Sequence, residues 1–339
     1  MAKAVRLSDI AKKMNVSTVT VSKALSGQKG VSEEVRTQIQ KMADDMGYIP
    51  LSTRKLHDNH RSYNIGVLIS ERFLGKYSSF YAQMYQKVAS EAIVNESFSM
   101  LEEISCEMEK SLILPKIVKE KKVDGYIVIG RLEQTYLEAL RTGSRIPSMY
   151  LDFTDNRRNS DCVISDSFNG GYYMTNYLFE KGHQSIAYVG TVLATGSITD
   201  RYLGYTKAIL EHHQQVRRDW VIDDRDLATG EMDPAAYFKL PKEMPTAFVC
   251  NSDLAASMLI HKLEDQGIRV PQDVSVTGYD NFLFPGLCDV EITTYEVDMR
   301  EMAKKALRNV IHKINGENYR KGVLIVEGHL VEKDSVQSI

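Results

Sequence analysis

Residues 7–25, LSDIAKKMNVSTVTVSKAL, constrain the fold of this chain more tightly than any other stretch. Apolar residues recur from Leu7 to Met14 at positions i, i+3, i+4 and i+7, which predicts one apolar helix face. Ser17 follows a break in this pattern and is a favourable N-cap for a second short helix. Two short helices joined by a three-residue turn indicate a helix-turn-helix, although a generic small helical bundle contains the same pair.

The second helix, expected over Thr18–Leu25, needs support from its neighbours. Its first four residues are all β-branched and lose rotamer freedom in a helix. A third helix is expected after Ser32, with acids in its first turn and with Gly47 and Pro50 ending it. We therefore predict an all-α headpiece over residues 1–50.

In a helix-turn-helix the second helix lies in the DNA major groove. Lys23 suits the guanine O6 and N7 acceptors, whereas short hydroxyl side chains suit phosphates. The predicted DNA-binding residues in this stretch are Ser17, Thr18, Val19, Thr20, Ser22 and Lys23.

The charge distribution agrees with this prediction. The whole chain has a formal net charge of −3, which by itself argues against nucleic acid. Residues 1–60 hold ten Lys or Arg and six acidic residues, a net charge of +4 that leaves −7 for the remainder. A basic end on an acidic body is typical of a protein that contacts phosphates with one end only.

From residue 62 onward, apolar strand patterns alternate with helical patterns. The first is the continuous apolar run 65–69, IGVLI, and similar runs follow at 125–129, 162–165 and 247–250. Among the helices expected between the strands is one at 109–121. Alternating βα units predict doubly wound parallel sheets with helices on both faces. The number of strands is too large for one compact sheet, so we predict two α/β lobes.

Ligands of open α/β sheets bind beyond the carboxyl ends of the strands. The residues that follow the predicted strands include carboxylates, amides, an arginine and aromatic rings. Carboxylates and amides match vicinal hydroxyls, and aromatic rings match the apolar faces of a sugar. The candidates at this edge include Ser70, Asp152, Phe153, Asn251, Ser252 and Asp280.

Other classes of protein find little support in the sequence. It contains no phosphate-binding loop, nucleophile elbow or zinc-protease motif, and the cysteines and histidines lack ligand spacing, so we predict no cofactor, no metal and no catalytic residue. Widely spaced cysteines, no visible signal peptide and no membrane-spanning apolar run predict a cytoplasmic protein with no membrane role. A sugar-binding transport receptor or an α/β enzyme would use the same cleft residues, but neither explains the headpiece.

The stretches VRLSDIAKKMNVSTVTVSKALSG and VSEEVRTQIQKMADDMGYIP resemble the headpiece of the LacI–GalR family of bacterial transcription regulators. The resemblance implies a periplasmic-binding-protein-like domain and a homodimer that binds a near-palindromic operator, most often as a repressor. It also implies control by a sugar or related metabolite held between the lobes. The implied segments are a headpiece at 1–50, a hinge at 51–61, an N-terminal lobe at 62–160 and 291–321, and a C-terminal lobe at 161–290 and 322–339.

The resemblance also implies roles for single residues. In the family a hinge leucine wedges into the minor groove, which implies Leu56 here, although a disordered tether is the alternative for this segment. Arg201 matches the arginine of Arg-x-x-Gly-[Phe/Tyr] that holds the effector, and Asp280 matches the acid of Gly-[Tyr/Phe]-Asp-[Asp/Asn]. Phe80 and Tyr81 match an aromatic pair at the start of a helix, and Asp152 and Phe153 match the first crossing between lobes.

Two departures from the family pattern bear on the effector. Ser252 replaces the usual asparagine of Ala-Asn-Asp, and Asn251 precedes it. Residues 224–230 contain no aromatic side chain to cover a sugar.

Overall fold

A computed structural model describes residues 7–25, 30–46, 48, 62–74, 80–155, 160–227, 230–283 and 285–339. The chain divides into two compact units, Met1–Arg61 and Ser62–Ile339. The predicted hinge at 51–61, including Leu56, lies outside the described residues, as do Gly47 and Pro50.

The described headpiece has the predicted three helices, α1 (Leu7–Met14), α2 (Thr18–Leu25) and α3 (Glu33–Asp45). Their inward faces form one small apolar cluster, in which the side chains of Ile10, Val21, Ala24 and Ile39 are fully buried. The β-branched helix α2 is therefore held by packing against α1 and α3, as its weak helix propensity requires.

Both ends of α2 are satisfied by side chains. The Ser17 hydroxyl accepts a hydrogen bond from the Thr20 amide at 3.0 Å, which confirms Ser17 as the N-cap. At the other end Arg36 of α3 donates to the carbonyl oxygens of Lys23 and Ala24, at 3.3 and 2.9 Å. Since the last carbonyls of a helix lack partners within it, Arg36 stabilises the C-terminus of α2.

The second unit contains a six-stranded parallel sheet, in the order β11-β5-β4-β3-β1-β2. Apolar clusters cover both of its faces. Its strands are β1 (Asn64–Ser70), β2 (Phe98–Ile104), β3 (Gly125–Ile129), β4 (Ser148–Leu151), β5 (Cys162–Ser165) and β11 (Val323–Val326). The helices of this lobe are α4 (Phe80–Val94), α5 (Cys106–Ser111), α6 (Lys116–Lys119), α7 (Gln134–Gly143) and α12 (Met299–Asn315).

The other lobe contains a four-stranded parallel sheet, in the order β7-β6-β8-β9, and an antiparallel pair of β10 and β12. Its strands are β6 (Ile186–Val189), β7 (Val221–Ile222), β8 (Ala247–Cys250), β9 (Ser275–Thr277), β10 (Thr294–Glu296) and β12 (His329–Val331). Its helices are α8 (Ser167–Glu180), α9 (Gly196–Glu211), α10 (Pro234–Tyr237) and α11 (Asp253–Glu264). The two parallel sheets with helices confirm the predicted fold class.

The predicted division between the lobes is wrong at three places. Residues 294–296, expected in the N-terminal lobe, form β10 of the other lobe and pair with β12. Strand β5, expected to begin the C-terminal lobe, pairs with β4 in the six-stranded sheet, and β11 pairs with β5. The chain therefore leaves the first sheet after Ser165, rather than before residue 161, and again after Val326, rather than before residue 322. An apolar run predicts a buried strand but does not specify which of two sheets receives it.

The prediction of a single helix at 109–121 is also wrong, because two short helices, α5 and α6, form there instead. Leu112 ends α5 in a left-handed conformation with φ of 54°. Pro115 then lies just before α6, where a proline cannot continue a preceding helix.

Candidate functional site

The outer face of α2 presents the predicted DNA-reading side chains to solvent. Thr18, Val19, Ser22 and Lys23 are exposed, and 60% of the Val19 surface is accessible. The Ser17 and Thr20 hydroxyls lie 2.8 Å apart and bond to each other. Ser17 and Thr20 therefore stabilise the N-terminus of α2.

Between the two sheets lies a cavity of about 60 Å³, which holds only a few water molecules. A sugar-sized ligand therefore needs the two walls to move apart. The first lobe contributes Phe73, Tyr81, Arg131, Asp152, Phe153, Thr154, Ile164 and Ser165 to the wall. The second lobe contributes Ser167, Thr195, Gly196, Ser197 and Asp200. Tyr81, Asp152 and Phe153 of the predicted set thus line the cavity.

Arg201 lies in α9 beside this cavity and is 5% exposed. Its guanidinium donates to the Asn251 carbonyl oxygen and to Asp280 Oδ1, the latter at 3.3 Å. The guanidinium carbon lies 3.6 Å from the centre of the Tyr279 ring, a cation–π contact. The Nε–H of Arg201 finds no acceptor among the described residues.

Two glycines allow α8 and α9 to approach closely enough to place Arg201. A Cβ atom on Gly171 would lie 2.3 Å from the Arg201 carbonyl oxygen. One on Gly204 would lie 2.0 Å from the Phe168 carbonyl oxygen. Any larger residue would push the helices apart, so the glycine of the Arg-x-x-Gly motif has a packing role here.

Asp152 and Asp280 follow β4 and β9, and both have a left-handed backbone, with φ of 66° and 101°. Such conformations are costly for residues other than glycine and cluster at functional sites. Burial raises the pKa of Asp152 to about 6, although the charge of Arg201 opposes the shift. Burial likewise raises the pKa of Asp280 to about 7, against the effect of Arg201 and with that of Asp152.

The side chains of three predicted ligand residues form hydrogen bonds within the protein. The buried Ser70 hydroxyl donates to Glu109 at 2.7 Å. The Asn251 amide nitrogen donates to the Val189 carbonyl and to Asp224 Oδ2, at 3.1 and 2.8 Å. The Ser252 hydroxyl caps α11 by accepting from the Ala255 amide at 3.1 Å. These contacts favour structural roles for the three side chains.

Only one ring of the predicted aromatic pair, Phe80 and Tyr81, lines the cavity. The Phe80 ring makes an edge contact with Tyr81, at 5.4 Å between centroids, and only Tyr81 lines the cavity. Phe153 stacks on Tyr150 at 4.8 Å.

A buried polar cluster that the sequence did not predict lies at the ends of β6, β7 and β8. Asp224 is fully buried and accepts hydrogen bonds from Arg225, from Asn251 and from the Thr191 amide. Burial opposes ionisation of Asp224, but the hydrogen bonds and charge of Arg225 hold its pKa below the usual value. Strand β7 has only two residues, so no apolar run marked its end in the sequence.

Within the described part of the chain, no group of three or more His, Cys, Asp or Glu side chains forms a potential metal site. Among the described helices, none is both long and apolar enough to cross a bilayer.

Comparison with known proteins gives two family matches along the chain. Residues 6–51 match the bacterial regulatory proteins of the lacI family, and residues 175–336 match a periplasmic binding protein-like domain. The HTH-type transcriptional repressor PurR of Photobacterium profundum is 26% identical, over 98% of this chain and 99% of that protein. PurR of Pectobacterium carotovorum is 27% identical, over 97% of this chain and 96% of that protein.

Solved structures agree on the fold. The lac repressor dimer bound to operator and an anti-inducer has a TM-score of 0.66 and 21% identity, covering 99% of this chain and 100% of that one. A complex of the transcriptional regulator CelR with cellobiose has a TM-score of 0.68 and 21% identity, covering 98% of this chain and 99% of that one.

The fold and the site define a regulator with a DNA-binding headpiece and a two-lobed α/β ligand-binding domain. Residues 6–51 carry the lacI-family match, and the chain is similar over nearly its whole length to PurR repressors.

Proposed function

We propose that this protein is a transcriptional repressor that binds a near-palindromic operator as a homodimer and responds to a small hydroxylated ligand in the cavity between its lobes. The observation that carries the proposal is the exposed, polar face of α2, held at both ends by Ser17 and Arg36. Full-length similarity to PurR repressors supports repression rather than another DNA-linked role.

The DNA-reading step follows from the chemistry of the α2 face. Lys23 donates to guanine O6 or N7, whereas Thr18 and Val19 contact base edges or thymine methyl groups. The hydroxyls of Ser17, Thr20 and Ser22 suit phosphate oxygens, which position the helix. Leu56 is proposed as the minor-groove wedge.

The control step follows from the two-walled cavity. Hydroxyl and carboxylate groups from both lobes line it, so a ligand that bonds to both walls favours one arrangement of the lobes. The lobe motion then alters the spacing of the two headpieces, with a coupling of about 1–3 kcal/mol. Half-sites read by a two-fold dimer lie about 34 Å apart or at multiples of that distance.

Selection of genomic DNA fragments by the full chain, in the presence of random competitor DNA, tests the proposal. We expect enrichment of a near-palindromic sequence, and loss of preference at one base pair in the Lys23→Ala variant. Binding that shows no preference for any duplex sequence over the competitor would falsify the proposal. In that case a sugar-binding receptor without a DNA role becomes the better description.

A further inference from the structure

The buried cationic side chain beside the cavity, Arg201, already bonds to other groups of the protein. Two donor groups of the Arg201 guanidinium bond to Asn251 and Asp280, and one face covers the Tyr279 ring. Arg201 therefore balances the charge of Asp280 within the second lobe. A bound anion would have to compete with Asp280 for the same donors.

The cavity wall itself carries an excess of carboxylates. Asp152, 8% exposed, and Asp200, partly buried, both line it. The cation on the described wall is Arg131, whose side chain is exposed to solvent, where water screens its charge. The groups that act on Asp152 are the Tyr81 hydroxyl, which donates a hydrogen bond to it, and the charges of Arg201 and Asp280.

The N-terminus of α9, which also lies on the wall, does not offset this excess. The Thr195 hydroxyl caps it by accepting from the Ile198 amide at 3.1 Å. Asp200 lies beyond the first turn of α9, which contains no acidic residue, so it does not neutralise this helix end. The N-terminus of a helix is equivalent to about half a positive charge, which is less than the two carboxylate charges on the wall.

We infer that the ligand of this cleft is a hydroxylated amine, such as an amino sugar, whose ammonium group lies against Asp152 and Asp200. Hydroxyl groups of the ligand bond to Thr154, Ser165, Ser167, Thr195 and Ser197. This inference rests on the proposed function, because it specifies the ligand that controls the repressor. It excludes sugar phosphates and sugar acids, which would bring a further negative charge to a carboxylate-rich wall.

Without ligand, a buried carboxylate that forms no direct ion pair within the described part of the chain costs stability when it is ionised, and a bound proton relieves that cost. The pKa of Asp152 is raised by burial to about 6, so the folded state holds this proton more tightly than the unfolded chain. The stability of the folded state therefore falls as the pH rises through 6. A ligand ammonium group takes the place of the proton, so amine binding strengthens over the same range.

The experiment compares matched ligands on the full chain by thermal unfolding and calorimetry at pH 7.0. The panel consists of glucosamine, galactosamine and mannosamine, their neutral parent sugars and the 6-phosphates of those sugars. We expect one amino sugar to raise the Tm and to bind at least tenfold more tightly than its parent, with no shift from the phosphate. Its affinity rises about tenfold from pH 5 to 7, following ionisation of Asp152.

Asp152→Asn is the matched variant, because asparagine tolerates a left-handed backbone and keeps an acceptor for Tyr81. It should remove the preference for the amine over the parent sugar. Without ligand at pH 7.5 it should raise the Tm by on the order of 2–4 °C. Asp155→Asn is the control, because Asp155 already accepts hydrogen bonds from Gln134 and Ser160 and its neutralisation brings no gain.

Stronger binding of a neutral or phosphorylated sugar than of any amine overturns the inference, as does a panel in which no amine binds. An Asp152→Asn variant no more stable than the wild type overturns it too. None of these results affects operator selection by the full chain, so the proposed function fails or stands separately.

Discussion

The headpiece and the cleft place their functional side chains in opposite surroundings. On α2 the functional groups project into solvent from a helix whose other face is buried, and Val19 is 60% exposed. In the cleft the functional groups are buried, and Arg201 is 5% exposed with partners on several sides. An exposed group contributes to binding and little to stability, whereas a buried charged group serves both, so the two regions should respond differently to substitution.

The largest effect is expected from Arg201→Gln, which leaves Asp280 buried without its cation. Loss of one partner of a buried ion pair costs about 3–5 kcal/mol, so denaturant unfolding of the 62–339 unit should show a drop of this size at pH 8. The pKa of Asp280 is about 7, so at pH 5 the protonated acid needs no cation and the loss shrinks. Arg131→Gln, on the same cavity but exposed, should change stability by less than about 0.5 kcal/mol. A loss for Arg201→Gln as small as the one expected for Arg131→Gln would show that Arg201 has no structural role.

Ile39→Ala tests whether the headpiece depends on its small core. Truncation of a fully buried isoleucine costs about 2–5 kcal/mol, a large share of the stability of so small a unit. Operator binding should be lost, whereas the melting transition of residues 62–339 should stay unchanged. Gln40→Ala, one residue along on the exposed face of α3, is the control and should bind normally. Retention of operator binding by Ile39→Ala would contradict the dependence of α2 on packing.

Lys23→Ala should alter DNA binding without altering stability. Loss of a base contact costs about 1–3 kcal/mol of discrimination at one position of the operator, which a selection with randomised half-sites measures. Lys41→Ala, exposed on α3, is the control and should leave base preference unchanged. A uniform loss of affinity over all sequences would assign Lys23 to phosphate contacts instead.

The smallest effect is expected from Ser17→Ala, which removes the N-cap of α2. The free energy of unfolding of the headpiece should fall by about 1 kcal/mol, as measured by thermal unfolding. Ser17→Asn retains a capping oxygen, so the free energy of unfolding of this variant should fall by much less. If both variants lose the same stability, the hydroxyl acts through some contact other than the cap.

The same contrast explains what could be predicted from the sequence. On α2, a helix of about two turns, periodicity separates the buried Val21 and Ala24 from the exposed Ser22 and Lys23. In the cleft, a residue just beyond a strand has a predictable place, but the partner of its side chain comes from a distant element. Asn251 was therefore placed at the right edge, yet its amide bonds to Asp224, which follows a strand too short to recognise.

Similar reasoning applies to the lobes. Residues 162–165 were predicted as a strand and form one, but the sheet that takes them up is chosen by pairing with β4 and β11. The partners in β11 lie more than 150 residues away along the chain, and local pattern does not encode such a contact.

The late departure of the chain from the first sheet has a mechanical consequence. Asp166, the first residue beyond β5, donates its amide to the carbonyl of Val326, the last residue of β11, at 2.9 Å. This hydrogen bond joins two of the connections between the lobes side by side. Ser165 and Ser167, on either side of Asp166, line the cavity. In the proposed lobe motion, a ligand held by Ser165 and Ser167 therefore contacts the connections about which the lobes rotate, and a small displacement there is enlarged toward the far ends of both lobes.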